Sequence, residues 1–302
     1  MNLVVMAAGM GSRFGGLKQL TSVGPNGEFL IDYSVYDAIQ AGVEKVIFVI
    51  KEEHYDMFRD TVGKRMENHI KVEYAFQKLD DLPDGVEIDF DRVKPWGTGQ
   101  AMLASRDYVD SNFIIINADD FYGRDAFVTL SNYLKDVKSD SDDDKEHYAM
   151  VAYKLINTLS KNGFVSRGIC DIKDEYLEKI VERKHIGYVD DRLVYVEDEK
   201  MYDVDKNTPV SVNLFGFTPK VFNKAQEYFK DFFMDDKDKH EREFYLPTIA
   251  RRVIEDGSAD MKVLNTTSRF NGMTYKEDLD GVKEYIEELI KKGVYPENLW
   301  GE

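Results

Sequence analysis

Short apolar runs alternate with amphipathic stretches through the first half of the chain. Residues 3–8, 45–50, 71–76 and 113–117 are mostly apolar. Residues 31–41, 52–66, 99–109 and 124–137 instead carry apolar side chains at the three-to-four spacing that leaves one helical face dry. Strands alternating with helices form βαβ units, so the pattern predicts a mixed, mostly parallel Rossmann-like α/β sheet flanked by helices. Ligands of such sheets sit at the carboxyl ends of the strands.

Beyond residue 148 the pattern changes. Runs at 147–155, 164–172, 176–182, 192–196 and 210–217 have few helical stretches between them and predict a smaller antiparallel part, with a hairpin at Asp190–Asp191. Helical periodicity returns at 219–232, 241–255 and 276–291, with a strand at 261–264 before the last of these. No fixed-period repeat is present. The expectation is one elaborated domain over 1–302, with a first part (1–137) facing a second (147–302) across a cleft.

Composition narrows the partners. The formal net charge of −17 argues against nucleic acid, whose binding is led by phosphate neutralisation. Small phosphorylated ligands would need a local cluster of cations and a bound metal ion. No apolar run is long enough to span a membrane. Residues 3–8 lack the basic leader of a secretory signal and read as a first buried strand. The lone Cys170 excludes an internal disulfide and a four-cysteine metal site; it reads as a packing residue and fits a reducing, cytoplasmic setting. The acidic run 139–146 reads as a solvated loop.

Directly after the first strand stands AAGMGSRFGGLKQ, residues 7–19. Glycines let the backbone approach a ligand, and such loops bind phosphate through their N–H groups. The spacing fits neither the dinucleotide GxGxxG pattern, broken at Phe14, nor a Walker loop, because Leu17 precedes Lys18. Arg13 can clamp phosphate oxygens in a fork and Lys18 can supply a mobile point charge.

With those residues the loop resembles the signature of the sugar-phosphate nucleotidyltransferases, a strand leading into AAGxGxR and a following lysine. The resemblance covers most of the chain and is strongest before Gly123. It implies that Ala8, Gly9, Gly11 and Ser12 wrap a nucleoside triphosphate while Arg13 and Lys18 neutralise charge near the reacting phosphorus. Gln77, in YAFQ after the third strand, resembles the glutamine that reads the base. Gly97 and Thr98, in WGTGQA, resemble the turn that passes under the base. Residues 78–94 form a longer insertion than the family suggests.

Asn117–Asp120 reads NADD at the end of an apolar strand. By position Asp119 matches the family's metal ligand, and Mg²⁺ is the implied cofactor, held by carboxylates and substrate phosphates. Asp120 either ligates too, binds ribose, or caps the helix near Arg124. On the acceptor side Gly163, Glu182, Arg183 and Asn213 resemble the family's sugar-binding positions; Arg183 or Lys184 would meet the sugar phosphate. Where relatives often carry a second metal-binding aspartate, RFNGMT places Asn271, which is either a neutral metal ligand or a turn residue.

The resemblance implies in-line attack of a sugar 1-phosphate on the α-phosphorus of a triphosphate, UTP or dTTP favoured, giving a nucleotide sugar and pyrophosphate. Cytidylyl transfer to another phosphorylated alcohol and a non-catalytic nucleotide-sugar sensor are the alternatives. A glycosyltransferase is disfavoured by the Arg13–Lys18 loop.

Overall fold

The computed structural model describes residues 1–9, 21–86, 92–138, 145–234 and 241–301. Strand β1 (Asn2–Met6) is followed by helix α1 (Leu30–Gln40) and strand β2 (Lys45–Ile50). The helix predicted at 52–66 is present as one run whose middle is wound wider: α2 (Tyr55–Phe58) and α3 (Lys64–Met66) are joined without a gap by a π-turn at Arg59–Gly63. The π-turn holds Gly63 against the next strand, β3 (Lys71–Phe76), where a Cβ would overlap the Tyr74 hydroxyl. Helix α4 (Thr98–Ala104) and strand β4 (Phe113–Asn117) complete the first unit. Its strands run in the order β3-β2-β1-β4, all parallel.

The chain continues through β5 (Asp120–Phe121), α5 (Arg124–Asp136) and β6 (Glu146–Lys154). Strands β7 (Val165–Lys173), β8 (Tyr176–Val189), β9 (Arg192–Glu197) and β10 (Lys200–Asp203) form an antiparallel meander. Each of its three turns has two residues with positive φ: Asp174–Glu175, Asp190–Asp191 and Asp198–Glu199. That is the backbone a two-residue type I′ hairpin needs, met here by acidic residues rather than Asn-Gly. The sequence signalled only the middle turn.

The run expected at 210–217 is two strands, β11 (Pro209–Ser211) and β12 (Phe215–Phe217), parted where Asn213 adopts φ 63°. Helices α6 (Val221–Met234) and α7 (Leu246–Glu255), strands β13 (Ala259–Asn265) and β14 (Asn271–Gly272) and helix α8 (Asp278–Lys291) follow. Among the described residues β5 and β14 form a small separate ladder, and the other strands form one continuous sheet. Its first half is parallel, and the continuation is antiparallel except for β13 beside β6.

Side-chain alternation along the parallel strands feeds two cores. Leu3, Val5, Phe48 and Ile114 pack with α1 and α5, while Val4, Ile47, Phe113 and Ile115 pack with α4, α6 and α7. A third apolar cluster joins α8 and the C-terminal residues Tyr295 and Leu299 to Leu30 and Tyr33 of α1. Polar clasps reinforce it: the Tyr295 hydroxyl donates to Asp37 (2.5 Å) and the Trp300 indole N–H donates to Asp32 (2.7 Å). Cys170 lies buried in β7, and burial pushes its thiol up to about 12, as suits a packing residue. Among the described residues no helix is long and apolar enough to cross a membrane.

Candidate active site

The carboxyl ends of the parallel strands open into a cleft of about 600 Å³. Backbone bonds extend the ladders just past their ends: Ala7 N–H donates to Val49 O, Gln77 to Ile50 O and Ala118 to Met6 O. The cleft collects Ala8, Gly9, Gln77, Gly97, Thr98, Asp119 and Asn213, all singled out from sequence. A Cβ on Gly9 would meet nothing within 4 Å. Gly11, Ser12, Arg13 and Lys18 lie outside the described residues, as does 139–144, most of the acidic run.

One wall of the cleft is fixed by a chain of amides. Gln100 donates its side-chain N–H to Lys78 O (3.0 Å), which leaves its amide oxygen to accept from Gln77 Nε2 (2.7 Å). Gln77 Nε2 also donates to Gly97 O (3.1 Å). Both acceptors demand nitrogen, so the Gln77 oxygen is the end left to a ligand.

Gly97 caps α4 with φ 103°, and a Cβ there would lie 2.7 Å from Phe244 O. That close approach accounts for the glycine. The strap 242–246 lies against this turn: Phe244 N–H donates to Trp96 O, Gly99 N–H to Phe244 O and Leu246 N–H to the Thr98 hydroxyl. Sequence periodicity assigned 241–255 to helix, but helix α7 begins only at Leu246, because the preceding residues spend their backbone groups on the Trp96–Gly99 turn. The strap brings Glu243 into the cleft, and Lys51, Lys94 and Asn117 line it as well. Asn117 opens the NADD run read from the sequence, whereas no period or spacing would have found Glu243, Lys51 or Lys94. The insertion 78–94 is packed rather than loose where it is described: Trp96 donates to Leu79 O, and the Arg92 guanidinium lies 3.9 Å from the Trp96 ring centre.

On the opposite side, Asp119 and Asp120 follow β4. Asn117 Nδ2 donates to the Asp120 carboxylate (2.8 Å), and the backbone at Asp120 pairs with Gly272. Helix α5 is capped by Gly123, so the capping role considered for Asp120 is not the one it plays; β5 holds it in a strand instead. The β5/β14 ladder sets Asn271 opposite Phe121, and Met273 N–H reaches Asp119 O at 3.5 Å. The two metal candidates, far apart in sequence, therefore stand on adjoining segments.

Both supply oxygen donors of the kind Mg²⁺ accepts, and one end of the Asn271 amide is buried without a hydrogen-bond partner. A half-turn of that amide presents oxygen there. Among the described residues no group of three or more His, Cys, Asp or Glu forms a metal cage. A cation here would complete its shell with substrate oxygens and water.

The acceptor-side candidates divide. A Cβ on Gly163 would lie 2.6 Å from the Tyr275 hydroxyl, which donates to Phe164 O, so the glycine admits the segment that carries Asn271. Glu182 is open to solvent yet crowded by protein; that desolvation raises its pKa against the pull of Arg167 and Lys184. Asn213 Nδ2 reaches Asn117 Oδ1 at 3.5 Å. Arg183 turns elsewhere: it pairs with Glu197 and lies 4.8 Å from the Tyr195 ring centre, both on β9. Its charge is spent on the meander, which corrects the expectation that it faces the acceptor.

The parallel sheet, the glycine-led turn and the paired carboxyl-end residues define a nucleotide-binding transferase fold, and the nucleotidyl transferase family model matches residues 2–268. The chain belongs to this family. It is 24% identical over 230 residues to the bifunctional protein GlmU of Methanococcus maripaludis, covering 68% of this chain and 49% of that protein. The same protein of Methanococcus vannielii is 24% identical over 227 residues, covering 68% and 50%. The chain thus spans about half the length of the curated relatives it matches. Among solved structures, the inositol-1-phosphate CTP transferase from T. maritima superposes with a TM-score of 0.61 at 15% identity, over 96% of both chains. A protein from Bacillus anthracis assigned as a glucose-1-phosphate thymidylyltransferase gives 0.61 at 14%, over 94% of both. At these identities the likeness is one of fold.

Proposed function

We propose that the protein joins a nucleoside triphosphate to a sugar 1-phosphate and releases pyrophosphate. The observation that carries this reading is the gathering of Gly9, Gln77, Gly97 and Asp119 in one cleft, with Asn271 laddered beside Asp120. A phosphate monoester is ionised near neutral pH, so no general base or protein nucleophile is required. The chain's task is to hold two anions in line and to offset charge on the transferred phosphoryl group.

Arg13 and Lys18 are assigned to that charge. Gly97 lets the backbone pass under the base, Gln77 reads it, and Glu182 and Asn213 orient the acceptor. Asp119 and Asn271 would hold Mg²⁺, which when bound supplies Lewis-acid stabilisation of the phosphates. A carbonyl oxygen at Gln77 accepts from the N3–H of uracil or thymine, whereas cytosine has a lone pair at N3; this favours UTP or dTTP.

The test is a pyrophosphate-release screen crossing nucleoside triphosphates with sugar 1-phosphates, with and without Mg²⁺. Metal-dependent turnover with UTP or dTTP is expected. Nucleotide-sugar binding without turnover across the whole panel would replace the reaction with a sensor role, and faster turnover with CTP would overturn the base assignment.

A further inference from the structure

A second cavity, of about 240 Å³, lies behind β14, and Asn271 and Gly272 form part of its wall. Lys161, Arg167 and Arg269 line it. In a chain of net charge −17, cations such as Lys45, Arg106 and Arg124 sit on carboxylates. These three do not: among the described residues no carboxylate stands within 4.0 Å of any of them.

Arg167 is the most constrained. Its guanidinium donates to Ser166 O (2.7 Å) and Thr158 O (2.5 Å) and lies 5.1 Å from the Phe270 ring centre, while Nε is buried with no partner. Carbonyl dipoles fix its position without neutralising it, and an arginine cannot shed its proton. Asp120, Glu182 and Asp278 act on it only at longer range, against a desolvation that lowers its pKa. The Asp278 carboxylate in the cavity wall is occupied by Ser160, Asn162 and the Tyr275 N–H. Glu277 is the other acid in the lining. A half-buried guanidinium with no carboxylate in contact is incompletely compensated until an anion meets it.

We infer that this cavity binds an oxyanion of the phosphate class, with Arg167 as its fixed floor and Lys161 and Arg269 as solvent-side arms. The anion has two sources: the phosphate of the acceptor, reaching in beside Asn271, or a separate phosphorylated small molecule. The first source rests on the proposed reaction. The second does not.

Inorganic phosphate titrated by calorimetry into wild type, Gln77→Ala, Lys161→Gln and Arg269→Gln decides the site. Lys161 and Arg269 are exposed, so the folds of their variants should hold, and thermal unfolding checks that. A binding step kept by Gln77→Ala and weakened about tenfold by Arg269→Gln or Lys161→Gln, the scale of one charge-assisted contact, supports the inference. No binding step, or one unchanged in both charge variants, overturns it. Kinetics then separates the sources: an acceptor KM raised about tenfold in Arg269→Gln at constant triphosphate KM marks the acceptor's phosphate. Inhibition or activation by phosphate that is not competitive with the acceptor, and is lost in Arg269→Gln, marks a separate ligand. Absence of turnover with every acceptor removes the proposed reaction and leaves the calorimetric result to decide the cavity.

Discussion

Gln100 holds the side-chain amide of Gln77 at 2.7 Å and, because its own N–H is committed to Lys78 O, permits only one orientation of that amide. Base selection would then depend on a residue one step removed from the ligand. Gln100→Leu should raise the UTP KM and cut the preference for UTP over CTP, each by about tenfold, the worth of one buried hydrogen bond. Steady-state kinetics with both triphosphates measures it, and undiminished discrimination would refute the orientation argument.

At Gly97 the backbone conformation and the strap agree on a single residue type. Gly97→Ala would force φ 103° on an L-residue and press a methyl toward Phe244 O. A loss of about 1–3 kcal/mol in denaturant unfolding is expected, with the triphosphate KM raised as the 242–246 strap moves off the turn. A variant as stable as wild type would mean the turn relaxes more freely than its contacts imply.

Asp119 and Asn271 should behave as unequal partners toward the metal. Asp119→Ala is expected to lower turnover by about 10²–10³-fold while leaving the unfolding transition in place. Asn271→Asp adds a formal charge to the same donor set, so the Mg²⁺ concentration for half-maximal activity should fall. If that concentration does not change, Asn271 is a turn residue and the metal rests on Asp119 and substrate alone.

The buried acids of α1 make a prediction about pH. Burial raises Asp32 and Asp37 from 3.8 to about 6, against the pull of hydrogen bonds from Phe29 and Trp300 to the first, and from Tyr295 and Arg124 to the second. A raised carboxyl pKa means the folded state binds more protons than the unfolded one between about 4 and 6. Stability from these groups therefore falls as pH rises through that window, by roughly 2–3 kcal/mol per group. The stability difference between wild type and Asp32→Asn, followed by denaturant unfolding, should shift against the wild type from pH 4 to pH 7. A pH-independent difference would show that Asp32 is ionised throughout.

The sequence disclosed what local periodicity and glycine demand can disclose. The parallel strands, the glycine cap at Gly97 and the carboxylates after β4 were legible because each leaves a pattern within a few residues. Where tertiary contacts redirected the backbone, the pattern misled: residues 241–245 read as helix until Trp96 and Gly99 took their hydrogen bonds, and Arg183 read as an acceptor cation until Glu197 and Tyr195 on the neighbouring strand claimed it. None of the three I′ turns carries the usual glycine; Asp190–Asp191 was legible from the runs on either side of it, while Asp174–Glu175 and Asp198–Glu199 were silent. Arg167 went unnoticed, since nothing within its own strand marks a cation that the Thr158 carbonyl and the Phe270 ring fix in place.

The clasp of Tyr295 on Asp37 and Trp300 on Asp32 joins positions 258 and 268 residues apart. During synthesis α1 leaves the ribosome early, and its two inward carboxylates can meet Phe29, Arg65 and Arg124 well before Tyr295 and Trp300 emerge to close over them. Closing so long a loop is slow relative to forming the local sheet. The parallel sheet can thus assemble during translation, but the face of α1 that Tyr295, Leu299 and Trp300 cover must wait for them, and a ribosome that stalls within α8 leaves that face open to other proteins.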